Sequence, residues 1–177
     1  NVTLFSGASR SSWPLLSDKN QIEIERFVKE LIDDMDSKKD VIITGGTDYG
    51  VEKIVHEYAY KKGIHVIGTL TEDAKIEEIK DNTISSAIML GSNWYDKHSH
   101  LIKMLSKLKN KTSVFIAGGD IVSTEIQAFK NWNQKNTGSK NIRTRLMSLD
   151  NLEGASSIKA QSTPEYAFSN IILSYSN

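Results

Sequence analysis

Four short segments that combine glycine with hydroxyl side chains are the parts of the chain best suited to bind a ligand. They are Ser6–Arg10 (SGASR), Thr44–Gly50 (TGGTDYG), Leu90–Asn93 (LGSN) and Ala117–Glu125 (AGGDIVSTE). Glycine lets backbone N–H groups approach a ligand closely, and serine and threonine add hydroxyl donors. Where such a segment leads into a helix, the unpaired N–H groups and the positive dipole end of that helix favour an anion. The segments indicate a phosphate- or nucleotide-type site, or else ordinary turns, which use the same residue types.

The elements that must position these segments alternate between two hydrophobic periods. Apolar stripes at helical spacing, such as the one from Ile24 to Met35, lie between short apolar runs typical of buried parallel strands. Alternating strands and helices predict an α/β fold, a Rossmann-like doubly wound and mainly parallel sheet with helices on both faces. Ligands bind such sheets beyond the carboxyl ends of the strands, where the four segments fall. The expected strands are Val2–Phe5, Val41–Thr44, His65–Thr69, Ala87–Leu90, Ser113–Ala117 and Arg145–Leu149.

Length, charge and cysteine content narrow the classes of function. The 177 residues suit one domain, and 22 basic residues balance 22 acidic ones. Because the chain has no net positive charge to attract a polyanion, we expect no nucleic-acid partner. No apolar run is long enough to span a membrane, so we expect no membrane partner. The absence of cysteine fits a cytoplasmic protein. Because the sequence starts at Asn1 and reads as a strand at once, we interpret residues 1–177 as a single domain cut from a longer chain.

Several familiar sites are excluded by their missing residues. The sequence has neither a Walker lysine pattern nor a GxGxxG, so an ordinary ATPase or dinucleotide dehydrogenase is not expected. His98, His100 and Lys103 cluster, but zinc needs further ligands in a closed geometry, and the chain offers no cysteine and no HExxH. We therefore expect no metal and no cofactor, and we interpret this cluster as a cationic edge for phosphate.

The two glycine-pair motifs resemble those of the SLOG superfamily. TGG-x-x-x-G before a helix, and AGG-x-x-x-x-x-E after the fifth strand, are similar to motifs of LOG phosphoribohydrolases, "lysine decarboxylase-like" proteins and the DprA/Smf fold. The resemblance covers about Val2 to Trp132. In LOG enzymes the second motif is PGG-x-GT-x-x-E, and its glutamate works with an arginine from an upstream H-E-R-K-x-x-M segment.

The chain departs from the LOG pattern at positions that carry hydrolysis. It keeps Gly118, Gly119 and Glu125, but Ala117 replaces the proline and His100 stands where the catalytic arginine belongs. Cleavage of an N-glycosidic bond needs an acid or base at the leaving group and stabilisation of a cationic sugar centre. The resemblance therefore implies a nucleotide pocket kept for binding after hydrolysis was lost.

Within the superfamily the chain is most similar to the STALD branch, and there to the sensor domains of ThsA-type effectors in Thoeris antiphage defence. In that system a TIR protein makes a cyclic ADP-ribose isomer, the SLOG domain binds it, and an attached Sir2-like domain hydrolyses NAD. The resemblance implies a regulatory sensor, preceded by a Sir2-like domain and self-associating as a dimer or tetramer. Two alternatives stay open: a LOG-like nucleoside 5'-monophosphate phosphoribohydrolase, and a structural oligomerisation or DprA-like module.

A cyclic ADP-ribose-type ligand needs anion holders, ribose partners and an adenine slot, and the resemblance assigns these roles. The backbone donors of Gly7–Ser9 and Gly45–Thr47 are expected to hold anions. Arg10 is expected to clamp a diphosphate, because its guanidinium binds in a bidentate manner. Asp48 and Glu125 are expected to accept from ribose hydroxyls.

Aromatic side chains complete the expected site. Tyr49, Trp94 and Tyr95 are candidate stacking surfaces. If the TGG loop is a cradle, Gly46→Ala should weaken nucleotide binding about tenfold. The full set of expected ligand-binding residues is Ser6, Gly7, Ala8, Ser9, Arg10, Gly45, Gly46, Thr47, Asp48, Tyr49, Thr69, Gly91, Asn93, Trp94, His98, Lys103, Gly118, Gly119, Asp120, Thr124 and Glu125.

Overall fold

The structure is a computed structural model that describes residues 1–73, 83–149 and 174–175. The strands of the described residues form one parallel sheet in the order β4-β3-β2-β1-β5-β6-β7. They are β1 (Val2–Gly7), β2 (Val41–Thr44), β3 (His65–Leu70), β4 (Ser86–Met89), β5 (Lys111–Ile116), β6 (Arg143–Leu149) and the two-residue β7 (Ser174–Tyr175). The chain thus has the expected α/β, Rossmann-like architecture.

Helices connect these strands and begin at the carboxyl ends of the strands they follow. They are α1 (Asp18–Asp33), α2 (Gly50–Lys62), α3 (Lys97–Ser106) and α4 (Asp120–Lys135). Ser17 caps α1, because its side chain accepts a hydrogen bond from the Asn20 N–H. α2 ends at Gly63, whose φ of 70° is the left-handed conformation that glycine adopts easily. Local sequence therefore sets both where these helices start and where they stop.

Two apolar clusters cover the two faces of the sheet. Phe5 packs with Phe27 of α1 and Val55 of α2 on one face, while the adjacent Leu4 belongs to the other. There Phe115 and Phe129 meet edge to face, with ring centroids 5.3 Å apart. Because successive strand residues point to opposite faces, a central strand buried on both sides needs the continuous apolar runs seen in the sequence.

The polar segment 134–141, which the sequence predicts to be a loop, is partly helical. Helix α4 continues to Lys135, and Gly138–Lys140 forms a 3₁₀ turn. The Asn133 side chain donates to the Ile142 carbonyl and accepts from the Ile142 N–H, which ties the segment to the start of β6. The charged stretch Glu72–Asp81 predicts a solvated helix, and Thr163 followed by Pro164 predicts the start of a last short helix. Apart from Glu72 and Asp73, both stretches lie outside the described residues. Within the described ranges, no helix is long and apolar enough to cross a membrane.

Candidate functional site

A cavity of about 370 Å³ opens where the strand order reverses, at the carboxyl ends of β1 and β5. The chain leaves β1 towards β2 on one side and leaves β5 towards β6 on the other, so the loops after β1 and β5 diverge. This is the position at which doubly wound sheets bind their ligands. The cavity is lined by Ser6, Gly7, Ser9, Arg10, Ser11, Ser12, Thr47, Tyr49, Glu52, Trp94, Tyr95, Lys97, Gly119, Asp120, Ile121, Val122 and Glu125.

The structure brings about half of the residues expected from the sequence to this cavity. Those that line it are Ser6, Gly7, Ser9, Arg10, Thr47, Tyr49, Trp94, Gly119, Asp120 and Glu125, together with the expected stacking residue Tyr95. Those that do not are Ala8, Gly45, Gly46, Asp48, Thr69, Gly91, Asn93, His98, Lys103, Gly118 and Thr124.

Several residues outside the cavity form hydrogen bonds with other parts of the chain instead. The Ala8 carbonyl accepts from the Val51 N–H at 2.9 Å, and the buried Thr69 hydroxyl donates to the Thr44 carbonyl at 2.6 Å. The Asn93 side-chain oxygen accepts from the Tyr95 and Asp96 N–H groups. These side chains and carbonyls hold the loops in shape.

The cationic edge expected at His98 and Lys103 is not formed at this cavity. Both residues line a separate groove of about 400 Å³ between α3 and α4. His98 is 3% exposed, and burial, helped by the charge of Lys97, lowers its pKa to about 4. Because the imidazole is therefore neutral at neutral pH, the interpretation of His98 as a cation for phosphate is wrong.

Backbone donors of the loop after β1 already form hydrogen bonds within the chain. The Ala8 N–H donates to the Ile116 carbonyl at 3.0 Å, and the Ser9 N–H donates to the Ser12 hydroxyl at 3.2 Å. A Cβ on Gly7 would lie 2.4 Å from the Ile116 oxygen, so this glycine allows a close approach of β1 to β5. The N–H groups of Ala8 and Ser9, which the sequence assigns to an anion, are thus already engaged.

The TGG loop after β2 is also occupied, by a carboxylate of the same chain. Glu52 Oε1 accepts from the Gly45 N–H at 2.8 Å, and Oε2 accepts from the Thr47 N–H at 2.9 Å and the Thr47 hydroxyl at 2.7 Å. Gly46 faces β3, because a Cβ there would lie 2.9 Å from Leu70 Cδ2. Since Gly46 has a φ of 86° and does not line the cavity, Gly46→Ala should cost stability rather than block a ligand.

Helix α4 begins at the cavity. Gly119–Val122 line the wall, and no side chain caps the first turn. The positive end of the helix dipole therefore lies against the cavity. Ala117, directly before this turn, has a φ of 42°, which is uncommon for a residue with a side chain and is a form of backbone strain that clusters at functional sites.

Glu125 forms the buried, acidic part of the cavity wall. It is 3% exposed, and its Oε2 accepts a hydrogen bond from the Ser6 hydroxyl at 2.6 Å. Burial raises the pKa of its carboxyl, and the nearby Glu52 raises it further, whereas Lys97 and the Ser6 hydrogen bond act in the opposite direction. Glu125 is therefore a carboxyl that the fold holds at an energetic cost beside a cation.

Two cations at the cavity lie over aromatic rings. The Lys97 ammonium is 4.4 Å from the centre of the Trp94 ring, and the Arg10 guanidinium is 4.8 Å from that of Tyr49. Arg10 Nη2 also donates to the Tyr49 hydroxyl at 3.0 Å. The rings expected to stack on adenine thus carry the cations that a phosphate would need.

Sequence reasoning missed Ser11, Ser12, Glu52, Lys97, Ile121 and Val122, all of which line the cavity. A signal for Glu52 exists, because an acidic residue at the third position of a helix often reaches back to the preceding loop. Lys97 follows Trp94 by three residues at the start of α3, but that spacing is common at exposed helix ends. Its burial, at 6% exposed, depends on tertiary packing.

We expect Glu125→Gln to gain stability relative to the parent as the pH rises above about 4.3. A carboxyl whose folded pKa is raised contributes stability that is fully present below its unfolded pKa and is lost as the pH rises through the folded pKa. The parent carries this loss, and Glu125→Gln, which still accepts from Ser6, does not. The buried His98, whose pKa is lowered, adds stability over the same range in both proteins, so the difference between the two profiles isolates Glu125. Urea unfolding across that range measures both. Asp120→Asn, on the same wall but exposed, is the control, and parallel profiles for the parent and Glu125→Gln would rule out this electrostatic account.

Comparison with known proteins establishes the fold. No protein-family model and no curated protein matches the chain. The molybdenum cofactor binding protein of the phototrophic bacterium Rippkaea orientalis superposes with a TM-score of 0.65 and 14% identity, over 98% of this chain and 89% of that one. The structural-genomics target TM1055 superposes with a TM-score of 0.60 and 18% identity, over 93% of this chain and 82% of that one.

The molybdenum cofactor carrier protein of Chlamydomonas reinhardtii gives a TM-score of 0.54 and 15% identity, over 82% of this chain and 75% of that one. At such identities the similarity concerns the fold alone. It agrees with the α/β, Rossmann-like fold expected from the sequence.

Proposed function

We propose that the cavity between β1 and β5 binds a nucleotide of the cyclic ADP-ribose type, and that the domain is a sensor rather than a hydrolase. The observation that carries this proposal is the meeting, in one cavity, of two ring-supported cations with a buried carboxyl. Arg10 lies over Tyr49, Lys97 lies over Trp94, and Glu125 lies in the same wall.

Each part of such a ligand has a counterpart in the wall. Guanidinium and ammonium groups pair with a diphosphate, and the positive end of α4 favours the same charge. A carboxyl such as Glu125 accepts hydrogen bonds from ribose hydroxyls. The exposed ring of Tyr95 is available for the base. A volume of about 370 Å³ lies within the usual range for small-molecule pockets.

The position of His100 supports binding without turnover. This residue stands where LOG enzymes carry their catalytic arginine, yet it does not line the cavity and its Nε2 lies 3.8 Å from the Asp96 carboxylate. Among the described residues, the cations of the cavity wall are instead Arg10 and Lys97. Glu125 therefore lacks the arginine with which the corresponding glutamate of LOG enzymes works, while Arg10 and Lys97 are suited to hold phosphate.

The physiological role follows from the sequence resemblance. We propose that ligand binding activates an attached Sir2-like, NAD-hydrolysing domain in antiphage defence, and that the domain works as at least a dimer. A sensor of this kind must favour one arrangement of its partners over another when ligand binds.

A LOG-like phosphoribohydrolase is the second candidate, and one observation favours it. Burial raises the pKa of Glu125. A carboxyl whose pKa is raised gives up its proton less readily in solution and is better suited than an ordinary one to act as a general acid towards a leaving base. Glu125 would then be the proton donor, and turnover separates the two proposals.

We expect calorimetric titration to detect binding of a cyclic ADP-ribose isomer at least about tenfold tighter than AMP or NAD, or about 1.4 kcal/mol. The same titrations should include linear ADP-ribose and the molybdenum cofactor, because two of the structural neighbours are named for that cofactor. Chromatography of each mixture should show the nucleotide unchanged. Release of free adenine or ribose phosphate at enzymatic rates would contradict the sensor proposal and favour the hydrolase.

A further inference from the structure

The carboxylate of Glu52 fills the loop that the sequence marks as a phosphate cradle. Three donors converge on it: the N–H groups of Gly45 and Thr47 and the Thr47 hydroxyl, at 2.7–2.9 Å. Glu52 is 7% exposed. It is the third residue of α2, so its charge also lies near the positive end of that helix dipole.

The loop is shaped around this carboxylate. A Cβ on Gly45 would lie 2.3 Å from Glu52 Oε1, so a side chain at that position would displace the carboxylate. Donors that converge in this way on two oxygens of one group are typical of sites that bind external anions. Here the anion belongs to the chain, and it still lines the cavity.

We infer that Glu52 is a built-in anion that determines the specificity of the cavity, closing the TGG loop to phosphate and presenting a carboxylate to the ligand instead. The first part stands on the loop geometry alone, and the second rests on the proposed function. Glu52 and Glu125 both contribute acceptors to the wall, which suits ligand hydroxyl groups. The phosphate groups of the ligand are left to Arg10 and Lys97.

Removal of the side chain should turn the loop into a site for an added anion. We expect Glu52→Ala to melt at a lower temperature than the parent, and formate at tens of millimolar to raise its Tm by about 3 °C more than chloride of equal ionic strength. Inorganic phosphate should act in the same way. The parent and Glu57→Ala, a control on the same helix, should respond to formate no more than to chloride. They should respond to phosphate less than Glu52→Ala does, because any binding at Arg10 and Lys97 is common to all three proteins.

Glu52→Gln tests the inference even if Glu52→Ala does not fold. An amide has one acceptor and two donors, so it places an N–H against the donors of the loop. We expect Glu52→Gln to melt clearly below the parent and to gain nothing from formate, because the space stays filled. A Tm equal to that of the parent, or a folded Glu52→Ala that ignores both anions, would overturn the inference. No nucleotide is used, so the outcome does not depend on whether the cavity binds one.

Discussion

Lys97→Met should weaken binding of a cyclic ADP-ribose-type nucleotide by at least about tenfold, or 1.4 kcal/mol. Lys97 is 6% exposed, and its ammonium lies over the Trp94 ring in the cavity wall. A cation held in a desolvated site acts on phosphate more strongly than one in water. Methionine keeps the apolar stem and removes the charge. Calorimetric titration measures the loss.

Lys103→Met is the matched control for this substitution. Lys103 lies on the same helix but is exposed and lines the groove between α3 and α4. We expect it to bind nucleotide like the parent. Equal affinities for the parent and Lys97→Met would show that the buried ammonium does not meet the ligand.

Gly50→Ala should lower the free energy of unfolding by about 3 kcal/mol, a large effect for one methyl group. Gly50 has a φ of 53°, and a Cβ there would lie 2.0 Å from the Ala8 carbonyl oxygen. That oxygen accepts the Val51 N–H at the start of α2. The substitution therefore separates the loop after β1 from α2, and ligand affinity should fall with stability.

Gly63→Ala is the control that separates the steric clash with Ala8 from the cost of a positive φ. Gly63 also has a positive φ, of 70°, but a Cβ there would meet nothing within 4 Å. We expect it to cost about 1 kcal/mol in urea unfolding. If the two alanine variants lose the same free energy of unfolding, the clash with the Ala8 carbonyl contributes nothing to the cost of Gly50→Ala.

The sheet is predictable because buried parallel strands leave short apolar runs in the sequence. Val41–Thr44 is expected and observed with the same limits, and the other five expected strands differ at their ends by at most two residues. The two-residue β7 is not among the expected strands. Alternating strands and helices also predict that a ligand binds at the carboxyl ends of the strands, where the cavity lies. The strand order, and with it the switch point between β1 and β5, comes from the structure.

The availability of the donors around the cavity is not predictable in the same way. The sequence of a glycine-rich loop is the same whether its N–H groups are available to a ligand or already bonded within the chain. Here the groups that accept from these N–H groups belong to residues that no motif marks. The Ala8 N–H is taken by Ile116, far along the chain, and the TGG loop is taken by Glu52. In the sequence, Lys97 is indistinguishable from an exposed lysine at the start of a helix, because its burial depends on tertiary packing.

The most direct test of the account is where a nucleotide binds, measured by amide chemical shifts of the labelled chain during titration with cyclic ADP-ribose isomers. We expect the largest shifts in two segments distant in sequence, Ser6–Ser12 and Gly119–Glu125, with smaller ones at Trp94–Lys97. Lys97→Met should need about tenfold more ligand for the same shifts. Shifts confined to the groove between α3 and α4, or none at millimolar ligand, would contradict a nucleotide site between β1 and β5.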